Sequence, residues 1–257
     1  MLPKVLTGAS PKSYLNAKTA AQWLNVVRAG LEARTDGGHG VFLCAPYPLL
    51  TDAIRALGPT GALVGTQDVS RYPAGAYTGE VNAELLGGLG ARFAMIGHPE
   101  RVRYFGEEPA DFAAKAAAAS SAGLVPILIV GEPTRGADPE EIIKPQIDSA
   151  FADLSPEAPV VVAYEPTWAI GAAEPAPPAH IVEVVARVRE ILAARPGESR
   201  VLYGGSAGPG TYAAIAGHGH TAGQLAGIPD GVFLGRAGVD PHGFLATVDE
   251  VRGAQQN

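Results

Sequence analysis

Three side chains in this 257-residue sequence carry the chemistry needed to move a proton beside a carbonyl. Glu165 ends the apolar run Val160–Glu165, and Pro166 behind it restricts its backbone. A carboxylate in apolar surroundings has a raised pKa and can take a proton from carbon. His98, in Gly97-His98-Pro99-Glu100-Arg101, can donate a hydrogen bond to a carbonyl oxygen, and Lys12 can set a positive charge beside a carbonyl and a phosphate. Two glycine-rich turns, Gly204-Gly205-Ser206-Ala207-Gly208 and Gly235-Arg236-Ala237-Gly238, let backbone N–H groups approach an anion. Taken singly, each has a plainer reading: an ion-paired carboxylate, a structural histidine, a solvated lysine, an ordinary tight turn. In combination they supply base, electrophile, cation and anion cradle, the set required for proton abstraction next to a carbonyl.

These residues need a scaffold that gathers them. Eight short apolar runs recur along the chain: Val5–Gly8, Val41–Cys44, Ala62–Gln67, Phe93–Gly97, Val125–Val130, Val160–Glu165, Val201–Gly204 and Gly231–Gly235. Continuous apolar runs of this length read as parallel strands buried on both faces. The stretches between them have helical character. Ile181, Val184, Val185, Val188, Ile191 and Leu192 fall at helical spacing before Pro196-Gly197, and the alanine-rich run from Asp111 to Ala122 stops at Gly123. Eight alternating units without a linker predict one α/β domain over residues 1–257, a single closed (β/α)8 barrel. A doubly wound open sheet is the alternative, but Gly8-Ala9-Ser10-Pro11-Lys12 lacks the GxGxxG fingerprint expected after its first strand. In such barrels chemistry sits on the loops that follow the strands. Ser10 and Lys12, Gln67-Asp68, His98 with Glu100, Glu165, and both glycine-rich turns all occupy that position.

Composition excludes other classes. Nineteen Lys and Arg against 26 Asp and Glu, with no basic block, disfavour a nucleic-acid ligand. A single cysteine, Cys44, permits no intrachain disulfide and favours a reducing compartment. No apolar run approaches the ~18 residues of a membrane span, so the expected location is cytoplasmic, without membrane association. His218-Gly219-His220, placed after a helix, is weak evidence for a metal; His39, His180 and His242 read as surface residues.

The sequence resembles the triosephosphate isomerase family over nearly its whole length. Val64-Gly65-Thr66-Gln67-Asp68-Val69-Ser70 through Gly75-Ala76-Tyr77-Thr78-Gly79-Glu80 is similar to that family's third loop. Ile96-Gly97-His98-Pro99-Glu100-Arg101 with Tyr104-Phe105-Gly106-Glu107 is similar to its histidine motif. Ala163-Tyr164-Glu165-Pro166-Thr167-Trp168-Ala169-Ile170-Gly171 matches its base and lid, and Leu202-Tyr203-Gly204-Gly205-Ser206 its phosphate loop. The resemblance implies an aldose–ketose isomerisation of a small phosphorylated sugar through an enediolate, interconverting dihydroxyacetone phosphate and glyceraldehyde 3-phosphate, with no metal or cofactor. Glu165 is then the base, His98 a neutral electrophile and Lys12 the cation, with Ser10 and Glu100 in support. Gly171, Gly204, Gly205, Ser206, Gly235 and Arg236 are implied at the phosphate, and Pro166, Thr167, Trp168, Ala169, Ile170 and Gly171 in the lid. Family membership further implies a homodimer in which Thr78 reaches toward the partner's site beside Lys12.

Several positions depart from the family pattern. Ser10-Pro11-Lys12 stands where Asn-Trp-Lys is usual, Pro99 where a serine follows the histidine, and Gly171-Ala172-Ala173-Glu174 where Gly-Thr-Gly-Lys is common. Ile129 replaces a cysteine, and Gly235-Arg236 a Gly-Gly pair. Ser10, Ser206-Ala207-Gly208-Pro209-Gly210 and Gly235-Arg236 are similar to paralogues that isomerise four-carbon ketose phosphates, so an erythrulose phosphate is the alternative substrate. A rival of another class is a barrel that binds a sugar phosphate without catalysis. Retention of Lys12, His98 and Glu165 argues against it, because binding alone needs no carbon base.

Overall fold

A computed structural model describes residues 1–170 and 176–254 of the chain. The apolar runs become eight parallel strands: β1 (Leu6–Ala9), β2 (Val41–Ala45), β3 (Leu63–Thr66), β4 (Phe93–Ile96), β5 (Val125–Val130), β6 (Val160–Tyr164), β7 (Ser199–Tyr203) and β8 (Gly231–Leu234). They hydrogen-bond in chain order, and β8 pairs with β1 to close the barrel. Closure leaves no sheet edge. The runs were expected to extend through Gln67, Gly97, Glu165, Gly204 and Gly235; each of these lies one residue beyond the end of its strand, on the rim. The seventh strand also begins earlier than expected, at Ser199.

Helices cover the outside: α1 (Ala17–Glu32), α2 (Leu50–Leu57), α3 (Ala83–Leu89), α4 (Pro99–Phe105), α5 (Pro109–Ser121), α6 (Pro139–Ala150), α7 (Pro178–Leu192), α8 (Thr211–Thr221) and α9 (Pro241–Ala254). The alanine-rich helix starts two residues before Asp111, because Pro109 suits a first helical position and the Glu108 N–H donates to Asp111 Oδ2. His218-Gly219-His220 does not follow a helix as expected; it forms the last turn of α8.

Strand side chains alternate between two cores. Phe42, Cys44, Phe93, Met95, Val125, Ile127, Ile129, Val161, Ala163, Leu202 and Phe233 fill the barrel interior. Val160, Val162, Tyr164, Leu128 and Val130 face the helices. Low in the interior, Phe42 meets Phe93 and Phe233 with ring centroids 5.1 and 5.2 Å apart. Cys44 is fully buried there, and burial pushes its thiol up and away from reactivity. Phe42 bridges opposite sides of the barrel, so Phe42→Ala leaves a cavity that few neighbours can fill. Urea unfolding is expected to show a loss of about 3–5 kcal/mol.

Candidate active site

The strand alternation continues past the strand ends and decides what enters the barrel mouth. Phe42 of β2 packs against Gly8 of β1, so that face of β1 looks inward and Ser10, two residues on, does the same. Val161 and Ala163 of β6 face the interior, and Glu165 continues their parity. Leu202 leads likewise to Gly204, and Phe233 to Gly235. Sequence expectations for Ser10, Lys12, His98, Glu100, Glu165, Gly205, Ser206, Gly235 and Arg236 all fall on one cavity of about 690 Å3. Gly204 abuts Glu165 directly. Thr78 is exposed on the loop after β3 and does not line this cavity, while Gly171 lies outside the described residues, as do the departures at Ala172, Ala173 and Glu174.

Lys12 is held in an unusual backbone state. Its φ of 47° makes it the one non-glycine residue in the left-handed region among the described residues. That conformation costs free energy and persists only where surroundings enforce it. Gln67 Nε2 donates to the Lys12 carbonyl at 3.1 Å, and Lys12 Nζ lies 2.7 Å from Glu100 Oε1. The ammonium therefore sits at the mouth of the cavity, shared with a half-exposed carboxylate.

His98 is the N-cap of α4, and Pro99 occupies the first helical position, where its missing N–H is not needed. The Glu100 backbone N–H donates to His98 Nδ1 at 3.2 Å. Nδ1 is therefore an acceptor, and in the neutral ring the proton must sit on Nε2. Burial, followed by the Lys12 charge, lowers the His98 pKa to about 4, against an opposing pull from Glu100. The imidazole is neutral at physiological pH and can only donate from Nε2. Behind it, Arg101 pairs with Asp68 at 3.0 Å and Glu107 at 2.6 Å. Buried Lys115 joins the same two carboxylates at 2.5 Å each. This network ties α4 to the β3 loop and to α5.

Glu165 is 6% exposed. Burial raises its pKa to about 7, and Glu100 adds to the rise, while Lys12 and a hydrogen bond from the Gly205 backbone pull the other way. Space around it is reserved by glycine. A Cβ at Gly204 would stand 2.6 Å from Glu165 Oε1, and one at Gly131 would stand 1.9 Å from the Glu165 carbonyl oxygen. Ser206 is exposed, and its hydroxyl donates to the Ala169 carbonyl, in the short turn that follows β6, at 3.2 Å. Arg236 is exposed at the start of the short turn after β8. Ser10 is 4% exposed, and its buried hydroxyl has no hydrogen-bond partner among the described residues.

The sequence reading missed one cluster beside the cavity. His180, expected on the surface, is half-buried, with Nε2 2.9 Å from both Glu132 Oε1 and the Tyr164 hydroxyl. The correction was available from spacing: His180 lies four residues before the buried Val184, on the inner face of α7. His39 and His242 are exposed as expected.

A closed parallel barrel whose rim joins a desolvated carboxylate, a neutral imidazole, a lysine and glycine-rich turns defines the class: a (β/α)8 protein equipped for proton transfer beside a carbonyl. The triosephosphate isomerase family model matches residues 5–251, and the chain belongs to that family. It is similar to L-erythrulose-1-phosphate isomerase of Pectobacterium atrosepticum, with 37% identity over 96% of this chain and 95% of that protein. It is also similar to triosephosphate isomerase of Thermus thermophilus, with 38% identity over 78% of this chain and 81% of that protein. The crystal structure of triosephosphate isomerase from Bartonella henselae superposes with a TM-score of 0.79 at 27% identity, covering 97% of this chain and 99% of that one.

The raised pKa of Glu165 has a consequence for stability. An unfolded glutamate titrates near 4.3, so the folded state binds this proton more tightly. The group's contribution is complete below the unfolded pKa and is lost as pH rises through about 7. Glu165→Gln, with no charge to desolvate, should therefore melt progressively higher than wild type as pH is raised from 5 to 8. Thermal melts across that range test it; a constant difference contradicts the raised pKa.

Proposed function

We propose that this protein is a cofactor-independent aldose–ketose isomerase that interconverts dihydroxyacetone phosphate and glyceraldehyde 3-phosphate. The observation that carries the reading is the pairing, in one cavity, of a carboxyl raised to about 7 with an imidazole lowered to about 4 and protonated on Nε2. Glu165 takes the proton from the carbon beside the carbonyl, and the released electron pair becomes the carbon–carbon double bond of an enediolate. The carbonyl oxygen receives the displaced charge, met by the His98 Nε2–H and the Lys12 ammonium. A proton passes between the two oxygens by way of His98, Glu165 returns its proton to the former carbonyl carbon, and the new carbonyl forms at the carbon that had lost it. Nothing is oxidised or reduced overall, so the chemistry calls for no external electron acceptor. Glu100 holds Lys12 and fixes the His98 tautomer through its backbone. The phosphate is received by the backbone of Gly204, Gly205 and Gly235 with Gly171, Ser206 and Arg236, under a lid running from Pro166 to Gly171.

Two further readings accompany this one. Residues 1–257 act as one domain, in the cytoplasm, where a single buried thiol suits reducing conditions. Two copies form a homodimer in which Thr78 of one approaches Lys12 of the other. In support, a recess of about 320 Å3 opens beside Lys12, lined by Tyr47, Gln67, Asp68, Arg101 and Phe105.

A second substrate is favoured by a specific observation. Ser10 is shorter than the family's usual amide, lines the cavity, and its buried hydroxyl lacks a partner among the described residues. A shorter side chain there leaves room for one more carbon, and a relative aligned over 96% of this chain is an L-erythrulose-1-phosphate isomerase. The deciding experiment compares kcat/KM for glyceraldehyde 3-phosphate and for L-erythrulose 1-phosphate on one preparation. A triose value near the ceiling of ~10⁸ M⁻¹s⁻¹ supports the first reading. Feeble triose turnover with efficient tetrulose conversion establishes the second. Ser10→Asn should raise the triose-to-tetrulose ratio by about tenfold, within the ~1–3 kcal/mol that one carbon commands. An unchanged ratio removes Ser10 as the residue that reads chain length.

The rate should also report the base. kcat/KM is expected to fall about tenfold per pH unit below about 7 as Glu165 protonates, with no second inflection from His98 until about pH 4. A profile flat from pH 5 to 8 would overturn Glu165 as the base.

A further inference from the structure

Beside the cavity, under the first turn of the lid, lies a polar cluster that the proposed reaction does not use. Glu132 follows β5 and is completely buried. Its Oε1 receives Trp168 Nε1 at 2.7 Å, the Tyr164 hydroxyl at 2.9 Å and His180 Nε2 at 2.9 Å. Its Oε2 has no partner among the described residues. The Glu132 carbonyl accepts from Thr167 twice, from the backbone N–H at 3.1 Å and from Oγ1 at 2.8 Å. Gln146 of α6 exchanges two hydrogen bonds with Gly131 and fixes the backbone beneath. The turn Pro166–Ala169 is thus fastened to one buried carboxylate residue at three points.

The proton positions follow from chemistry. A carboxylate only accepts, so His180 Nε2, at hydrogen-bond distance from it, must carry a proton. The Tyr164 hydroxyl has one proton and spends it on the same oxygen. Three donors therefore share an atom with about two acceptor directions. Tyr164 is built into β6 and His180 into α7, whereas the indole rides on the lid. His180 touches Trp168 a second way, ring edge to ring, with centroids 5.5 Å apart at 67°, and the Arg135 guanidinium lies 5.3 Å from the indole on the same segment.

We propose that His180 is a positioning residue for the lid. By taking a share of Glu132 Oε1 from α7, it fixes the carboxylate that holds Trp168 and sets how readily the first turn of the lid lets go. The inference rests on the proposed isomerase reading for its kinetic consequence, but the indole contact stands without it. Without His180 the fully buried carboxylate is held by Tyr164 and Trp168 alone, with no contact from α7 to set its position.

The test uses full-length protein labelled with 5-fluorotryptophan. Trp23 and Trp168 are its two tryptophans, so two ¹⁹F resonances result. Trp23 is an internal control: it packs on Phe244 and donates to the Gly238 carbonyl, away from the lid. His180→Leu should shift or broaden the Trp168 resonance and leave that of Trp23 in place. It should lower kcat/KM for the phosphorylated substrate by about tenfold while changing turnover of unphosphorylated glyceraldehyde less than about twofold, because that substrate offers the lid no phosphate to grip. His180→Gln, which keeps an N–H donor, should restore both readouts. An unmoved Trp168 resonance, an equal loss on both substrates, or failure of glutamine to rescue overturns the proposal. Where the leucine variant does not fold, His180→Asn, whose amide stops short of Glu132, serves the same comparison. If wild type isomerises neither sugar phosphate, the isomerase reading fails and the ¹⁹F shifts alone decide the role of His180.

Discussion

Keeping an ionisable carboxylate almost dry at the mouth of the barrel is the constraint around which the rest of this rim is arranged. Desolvation alone drives a buried carboxyl toward its neutral form, in which it takes no proton from carbon. Lys12 and the Gly205 N–H hold the ionised form within reach of neutral pH. Burial keeps His98 neutral, and the same ammonium, which repels an imidazolium, adds to that effect. One cation thereby does two compatible things, and Glu100 opposes both. The outcome is an inverted order, with the carboxyl titrating above the imidazole. Above pH 7 the site pairs a negative base with a neutral donor, and no proton is lost to a direct ion pair between them.

Geometry serves the same constraint. Glu165 fits because Gly204 and Gly131 leave room where any side chain would strike its carboxylate or its carbonyl. The left-handed backbone at Lys12 is part of the same arrangement, enforced from β3 by Gln67. The Arg101–Asp68–Lys115–Glu107 network sits one layer back. Its ion pairs join the β3 loop, α4 and α5 and are largely buried, so it acts as a brace for the helix that His98 caps.

Much of this was legible in the sequence because an apolar run is a local signal. The polar residues that follow each apolar run could be named from the sequence, and the structure adds that Val161, Ala163 and Glu165 share a parity, as do Leu202 with Gly204 and Phe233 with Gly235. The resemblance to a known family supplied the pairing of His98 with Glu165, which lie on different strands. Contacts between elements distant in the chain left no such trace. His180 and Glu132 are separated by 48 positions, and nothing local distinguishes a histidine that faces solvent from one that faces a buried carboxylate except its place on the inner stripe of α7. Lys115 was hidden in the same way, as one basic residue in an alanine-rich helix. The left-handed φ of Lys12 had no signal, since lysine in that region is enforced by its surroundings rather than favoured by its type.

The groups that set proton affinity are also separable from those that, under the proposed reading, meet the substrate's length and charge. Lys12 and Glu100 act through charge on both His98 and Glu165, so a change in either the cation or the carboxylate alters both groups. Ser10 carries no charge, contributes to neither the lowered imidazole nor the raised carboxyl, and is joined to the barrel through its backbone N–H to Leu234. Arg236 lies at the exposed end of the cavity beyond β8. Under the proposed reading, substitutions at these two positions alter the length and charge of the space offered to a sugar phosphate while the acid–base pair keeps its inverted order. That separation gives one barrel a physical route to a longer substrate without rebuilding its chemistry, because the groups that act on the proton affinity of Glu165 are not the ones that change.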